Sequence, residues 1–278
     1  MTKSKKWIAF RIIAALLVVA ATAHFMGTER TNQKPICNPQ DASVFEQCLI
    51  ANAATVDYTR LGTTATRVLV FGEAHASIGQ KDELSGHFKE LAQLGFTAFA
   101  IEAMPSSKQH LIDDYQSGKL SRQGLGEEIQ KSWGYNPEPY LRAIDAAQQA
   151  GMATIFLDRD QEHVDLSLPN WAELERAVDQ RREAHWVDLM QAASKNGKIV
   201  ALVGNAHVRS IQGQLTAVKL DNKAIALEGG EFFYDTPVTY AARHAGLQAK
   251  RLIVRTGADE YSLLVPQADH AVIISRIK

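Results

Sequence analysis

Arg67–Ser77 reads RVLVFGEAHAS, and its pattern returns at Lys198–Ser210, KIVALVGNAHVRS. In the first copy Val68–Phe71 are bulky or β-branched with no polar alternation, which is the pattern of a strand buried on both faces in a parallel sheet. Gly72 stops the run and Glu73 and His75 follow. In the second copy Ile199–Val203 is the apolar run, Gly204 the stop, and Asn205 and His207 the polar pair. Both copies read apolar strand, Gly, polar residue, Ala, His. The repetition predicts two strand ends lying near each other and supplying two histidines to one site.

Outward from this pair, strands and helices alternate. Asp82–Leu94 has Leu84, Phe88 and Leu91 at helical spacing, with Gly95 as a stop. Thr97–Ile101 is a short apolar strand ending at Glu102; Met104-Pro105 breaks it, and Ser106 can cap a helix running through Tyr115. Ser117–Trp133 is polar, with three glycines, and reads as a helical excursion over one end of the sheet, a lid in which Arg122, Lys131 and Trp133 could line a pocket. Pro139–Ala150 is a helix with Tyr140, Ile144 and Ala147 on one face, and Ala153–Leu157 a buried strand ending at Asp158-Arg159-Asp160. A long helix from about Asn170 to Lys195 precedes the second GxAH strand, and Ala224–Leu227 ends at Glu228. Three short strands close the chain, at Leu252–Val254, Tyr261–Val265 and Ala271–Ile274. The pattern predicts an α/β fold: a mainly parallel central sheet, helices on both faces and a C-terminal antiparallel edge extension.

Five apolar strands thus end in polar residues: Glu73 with His75, Glu102, Asp158 to Asp160, Asn205 with His207, and Glu228. Ligands of open α/β sheets bind beyond the carboxyl ends of the strands. One glycine-punctuated turn can be a loop cap; two alike favour a site. On the long helix, Leu174, Val178 and Leu189 mark an inward stripe that continues to Arg181 or Arg182 and then His185. A buried guanidinium needs a partner, so an arginine there could hold Glu73 or Glu102 or bind an anionic group. The alternative is a helix overhanging the sheet, with these residues solvated.

The start of the chain carries a different signal. Met1–Lys6 is basic, Trp7–Ala23 is apolar apart from Arg11 and Thr22, and Ala21-Thr22-Ala23 has the small-x-small form of a cleavage site. Residues 1–23 therefore read as a secretory signal peptide and the protein as periplasmic or secreted. The alternative is membrane attachment through residues 8–26, which could span a bilayer if Arg11 snorkels. Residues 24–60 read as a tether and cysteine-containing segment, and 61–278 as a single α/β domain. Cys37 and Cys48 are the only cysteines. An even, close pair in an exported chain suggests a disulfide; buried free thiols are the alternative, and the spacing does not match zinc motifs. Asp41–Ala54 reads as a short helix with Val44, Cys48 and Ile50 inward.

The 278 residues, 46% hydrophobic and 22% charged, fit a globular protein. The formal charge of −1 conceals four basic residues in the first 23; without them 26 Lys and Arg face 31 Asp and Glu, a net −5. Such a balance gives no support for a nucleic-acid partner.

The order GEAH, IEAMP, an Arg182-containing helix and GNAHV resembles the ChaN-like haem-binding-uptake family of the Tiki superfamily over roughly Arg67 to Leu215, with erythromycin esterases as more distant relatives. Trp133 with Tyr140 and the segment Ala147–Gly151 strengthen the resemblance. It implies a mixed α/β fold with Glu73, His75, Glu102 and His207 as the core of a site. Arg182-Glu183 matches the family's Arg-acid pair, although Trp186 replaces the methionine expected after it. The superfamily includes metal-dependent proteases, metal-independent esterases and haem-binding proteins. Haem-binding members use a tyrosine ligand, and none is assigned here.

Two functions follow as expectations. One is a hydrolase on an ester or peptide substrate, with Glu73, His75, Glu102, Arg182 and His207 as catalytic groups. A divalent metal held by His75, His207 and Glu73 is a variant of it. The other is haem binding for iron uptake in the cell envelope; no CxxCH attachment motif is present. An inactive scaffold on the same fold is a third possibility.

Overall fold

The computed structural model describes residues 35–38, 42–160, 167, 169–230, 232–234, 236–266 and 272–274. The expected signal peptide or anchor and most of the expected tether lie outside the described residues.

From Ile36 onward the chain is one body. Its elements are α1 (Ala42–Asn52), β1 (Ala54–Thr55), β2 (Val68–Glu73), α2 (Ile78–Ser85), α3 (Phe88–Gln93), β3 (Phe96–Pro105), α4 (His110–Gln116), α5 (Arg122–Trp133), α6 (Glu138–Gln149), β4 (Ala153–Asp158), α7 (Trp171–Ala193), β5 (Lys198–Gly204), α8 (Val208–Ala217), β6 (Asn222–Gly229), β7 (Phe232–Tyr234), α9 (Pro237–His244), β8 (Leu252–Arg255), β9 (Glu260–Val265) and β10 (Val272–Ile274). The sheet order is β1-β8-β9-β6-β2-β5-β3-β4. Only β8 runs against the others, through antiparallel pairing with β1 and β9. The mainly parallel sheet with an antiparallel edge is therefore present. The last tail strand departs from expectation: β10 leaves the main sheet and pairs in parallel with β7.

Both faces of β2 are buried, as its unbroken apolar run demands. Leu69 and Phe71 join Phe99, Ile101, Leu202 and Ile225 under α5 and α6. Val68 and Val70 join Ile199, Ala201, Trp186 and Met190 under α7 and α8. Alternate residues of one strand thus feed two cores, because successive side chains point to opposite faces.

Three local readings change. The helix expected over Asp82–Leu94 is two helices that begin earlier. Ser77 caps α2 by accepting a hydrogen bond from the Gln80 amide, and Gly86 and His87 separate α2 from α3. The strand expected to end at Ile101 continues through Glu102 to Pro105. On α7 the buried stripe is Glu183, Trp186, Val187 and Met190; of the three expected residues, Leu189 packs, partly buried, against the core under α7 and α8, and Leu174 is exposed. All the residues from 171 to 176 are exposed with it; the buried stripe has i, i+3, i+4, i+7 spacing.

The cysteine segment packs onto this body. Cys37 and Cys48 form a disulfide. Phe45 and Leu49 of α1 pack with Val238 and Ala242 of α9. Val44 and Ile50, expected to point inward, are exposed instead, because the buried stripe is Phe45 and Leu49. The bond closes a sequence separation of 11 residues. A C37S/C48S double substitution should therefore lower unfolding free energy by about 2–3 kcal/mol, the closure entropy of a loop that short. Urea unfolding under non-reducing conditions would measure it, and an unchanged midpoint would contradict it.

Candidate active site

The parallel register carries the polar ends to one rim. Glu73 is the cross-strand partner of Gly204, so the two GxAH turns leave adjacent central strands at the same height. Ile101 pairs with Leu202, which brings Glu102 alongside the second turn. On the other side of β2, Gly72 pairs with Ala226, which sets Glu228 on the same rim.

Both glycines are required by close approach. A Cβ on Gly72 would fall 2.3 Å from Asn205 Oδ1 and from Val208 Cγ2. A Cβ on Gly204 would fall 2.8 Å from two atoms of the His75 imidazole. Each turn therefore fits into the space that the other turn's glycine leaves open.

Each histidine is held through Nδ1 by its own carboxylate. His75 Nδ1 lies 3.0 Å from Glu73 Oε1, and His207 Nδ1 lies 2.8 Å from Glu183 Oε1. With a carboxylate there, Nδ1 carries the proton and Nε2 is left as the base. The other edges of both rings turn towards Glu102. His207 Nε2 is 3.8 Å from Glu102 Oε1, and the His75 edge lies over Gly204, whose amide donates to Glu102 Oε2 at 2.6 Å. The constellation is two carboxylate–imidazole pairs on either side of a third carboxyl group.

The supports of each pair are buried. Glu73 accepts a hydrogen bond from the Tyr140 hydroxyl at 2.7 Å and forms an ion pair with Lys81. Lys81, 1% exposed, also donates to the carbonyls of His75 and Ser77, at 2.9 Å each. Burial works to raise the Glu73 carboxyl. The His75 hydrogen bond and the Lys81 charge outweigh it and hold the carboxyl below its usual range. Burial, then the Glu73 charge, pushes the Tyr140 phenol upward, so it stays a donor. Trp133 Nε1 donates to the Tyr140 hydroxyl at 3.0 Å, and the Trp133 ring meets His75 edge-on at 4.7 Å. Glu183 also accepts from Ser210 Oγ, and Trp186 packs edge-on against His207.

Glu102 is the contrasting carboxyl. Burial raises it, and the opposing charges of His75, His207 and Arg182 and the Gly204 amide do not fully cancel that rise. Arg182 donates from Nη2 to Glu102 at 3.0 Å, from Nε to Asp158 at 2.9 Å and from Nη1 to Asp179 at 3.3 Å. Three carboxylates share this guanidinium, so Arg182 positions Glu102 rather than standing open to an anion. His185 turns aside and meets Ser106 Oγ at 2.9 Å.

A cavity of about 410 Å³ opens over this rim, lined by His75, His207, Asn205, Tyr135 and Glu228 among others. Of the lid residues, Trp133 reaches the site. Arg122 is tied to Glu138 and Asp145, and it lines a separate groove with Lys131. No three His, Cys, Asp or Glu side chains among the described residues group as a metal ion requires. Glu73, read as a metal ligand with His75 and His207, is taken up by Lys81 and Tyr140 on the Nδ1 side of His75.

Sequence reasoning missed Lys81 and the role of Glu183. Lys81 sits on a helical turn that starts four residues before the expected helix. Glu183 was visible in the spacing of 183, 186, 187 and 190.

Glu228 stands apart from these pairs. Burial pushes its carboxyl up to about 7, and a hydrogen bond from Thr236 Oγ1, 3.0 Å away, opposes the shift. A carboxyl raised in the folded state stabilises below its unfolded value and loses that contribution as pH rises towards 7. Glu228→Gln should therefore match wild type near pH 4 and exceed it at pH 8 by on the order of 1–3 kcal/mol. Urea unfolding at the two pH values checks this; no gain at pH 8 would refute it.

Residues 62–188 match the family model described as haem-binding uptake, Tiki superfamily, ChaN. The match ends before the second GxAH turn, whose place in the site rests on the strand register. No curated protein matches the chain. Among solved structures, the type III effector HopBA1 is 14% identical with a TM-score of 0.49, over 70% of this chain and 85% of that one. ChaN of Campylobacter jejuni, solved with cofacial haem, is 13% identical with a TM-score of 0.43, over 72% and 88%. The RRSP effector domain of a Vibrio vulnificus toxin is 14% identical with a TM-score of 0.44, over 84% of this chain and 40% of that one. Residues 62–188, which carry the first GxAH turn, Glu102, Arg182 and Glu183, are thus similar to the ChaN haem-binding-uptake family of the Tiki superfamily.

Proposed function

We propose that this chain is an exported hydrolase of ester or peptide bonds that works by general acid–base catalysis at His75 and His207. One observation carries the reading: each imidazole is fixed through Nδ1 by a buried carboxylate, while both line one cavity beside Glu102. A carboxylate behind a histidine sets its tautomer and stabilises the imidazolium that forms. One histidine takes the proton of an attacking water as its oxygen bonds to the substrate carbonyl. The other, protonated, faces the developing oxyanion and gives its proton to the leaving oxygen or nitrogen as the carbonyl bond to it breaks. Glu102, its carboxyl raised by burial, stands beside both rings, and Arg182 holds it in register. The basic and apolar start of the sequence supports export.

The test is turnover of p-nitrophenyl acyl esters and of a fluorogenic peptide by purified protein, before and after dialysis against a chelator. Turnover that survives the chelator supports the reading. No turnover above a protein-free blank would sink it.

A second reading, haem carried as cargo, has its own observation. Tyr135 is 41% exposed at the mouth of the cavity, with its ring 5.3 Å from His75 and 5.7 Å from Trp133. These residues suit a flat apolar ligand, and a phenol is the ligand type the family resemblance implies; bound haem would supply an iron for Tyr135 to hold. Titration with haemin should then give a Soret band that Tyr135→Phe shifts or abolishes. A band unaltered by that substitution would remove Tyr135 from the reading.

A further inference from the structure

The site cavity has a neighbour. A second cavity of about 650 Å³ lies over β6 and β9, and the two share Asn205, Glu228 and Thr236 as a common wall. On the far side the lining is apolar where it meets the wall, with Val208, Ala224 and Ala226. Among the described residues that line the site cavity there is no lysine or arginine. Glu73 has its countercharge in Lys81. The one arginine of the second cavity, Arg209, lies on its rim and pairs with Glu260 at 3.3 Å. Glu228 alone of the lining acids meets no cationic group among the described residues; its partner is the Thr236 hydroxyl at 3.0 Å.

We propose that the substrate carries a primary ammonium on an aliphatic arm, and that Glu228, at the junction of the two cavities, binds it while the reacting bond lies at the histidines. This rests on the reading that the cavity takes a substrate. A carboxylate in a low-dielectric wall is costly unless a charge or several donors face it. One hydroxyl is an incomplete set for a group with about four acceptor sites. An ammonium would add a charge-assisted bond to it, and the apolar lining beyond the wall suits methylene groups. The upward shift of the Glu228 carboxyl has the same origin, burial with no cationic group beside it among the described residues.

The test is binding, read without turnover. Hexylammonium and 1-hexanol share their chain and differ in the head group. Calorimetric titration of the full-length protein at pH 8 should show hexylammonium binding at least tenfold more tightly than hexanol. Glu228→Gln, nearly isosteric and checked for folding by circular dichroism, should bring the two to equal affinity. Equal affinities in wild type, a preference that persists in Glu228→Gln, or no binding of either ligand would each overturn the proposal. His75→Ala should keep the preference, so failure of the hydrolase reading and failure of the ammonium subsite give different results.

Discussion

Lys81→Met should cost about 3–5 kcal/mol of unfolding free energy, the usual result of removing one member of a buried ion pair. The residue is 1% exposed and lies between the Glu73 carboxylate and the carbonyls of His75 and Ser77. Methionine fills most of its volume but leaves a buried carboxylate facing only His75 and Tyr140. Neutralising both partners, in Glu73→Gln/Lys81→Met, should restore part of the loss, because no uncompensated charge remains. The pH dependence has a definite sign. Glu73 sits below its ordinary value in the folded protein, so its contribution is present above the unfolded value and disappears as pH falls through the folded one. The gap between Lys81→Met and wild type should therefore narrow on acidification, as Glu73 takes up a proton. Urea unfolding at pH 7 and pH 4 decides it: a loss below about 1 kcal/mol, or one equal at both pH values, means the pair is not what holds the first turn.

His75→Ala and His207→Ala should each lower kcat for ester hydrolysis by about 10²–10⁴-fold, the usual contribution of a positioned acid or base. The two losses should not multiply, since groups that act in one step fail together. Folding should survive both, because neither ring is in a core and the strands beneath keep their register. Glu183→Gln tests the support rather than the base. It keeps the shape but removes the charge behind His207 Nδ1, so it should lower kcat with little change in KM. If His75→Ala and His207→Ala hydrolyse esters at the wild-type rate, catalysis lies elsewhere.

The convergence of the two turns is legible in the sequence for a physical reason. Long apolar runs such as Val68–Phe71 can be satisfied only between two helical layers, so a parallel sheet follows, and its strands end on one rim. Glu73, His75, Glu102 and His207 could be read from that. Which carboxylate holds which histidine could not. Glu183 is far in sequence from His207, and its facing depends on the rotation of α7, which the exposed apolar residues of its first turns disguise. Lys81 was missed because a charged residue in the core is improbable until the partner that stabilises it is known.

The sequence alone determined the layered architecture, the rim and the residue types at the two turns, since hydrophobic periodicity and glycine punctuation are local properties of the chain. Tertiary structure alone decided the pairing: that Gly72 and Gly204 make room for each other's turns, that each imidazole has its own carboxylate, and that Glu228 stands in a wall beside the Thr236 hydroxyl. The physical reason is that these relations join distant segments across a few ångströms. Hydrogen bonds and ion pairs depend on distance and direction, which strand register and helix rotation set.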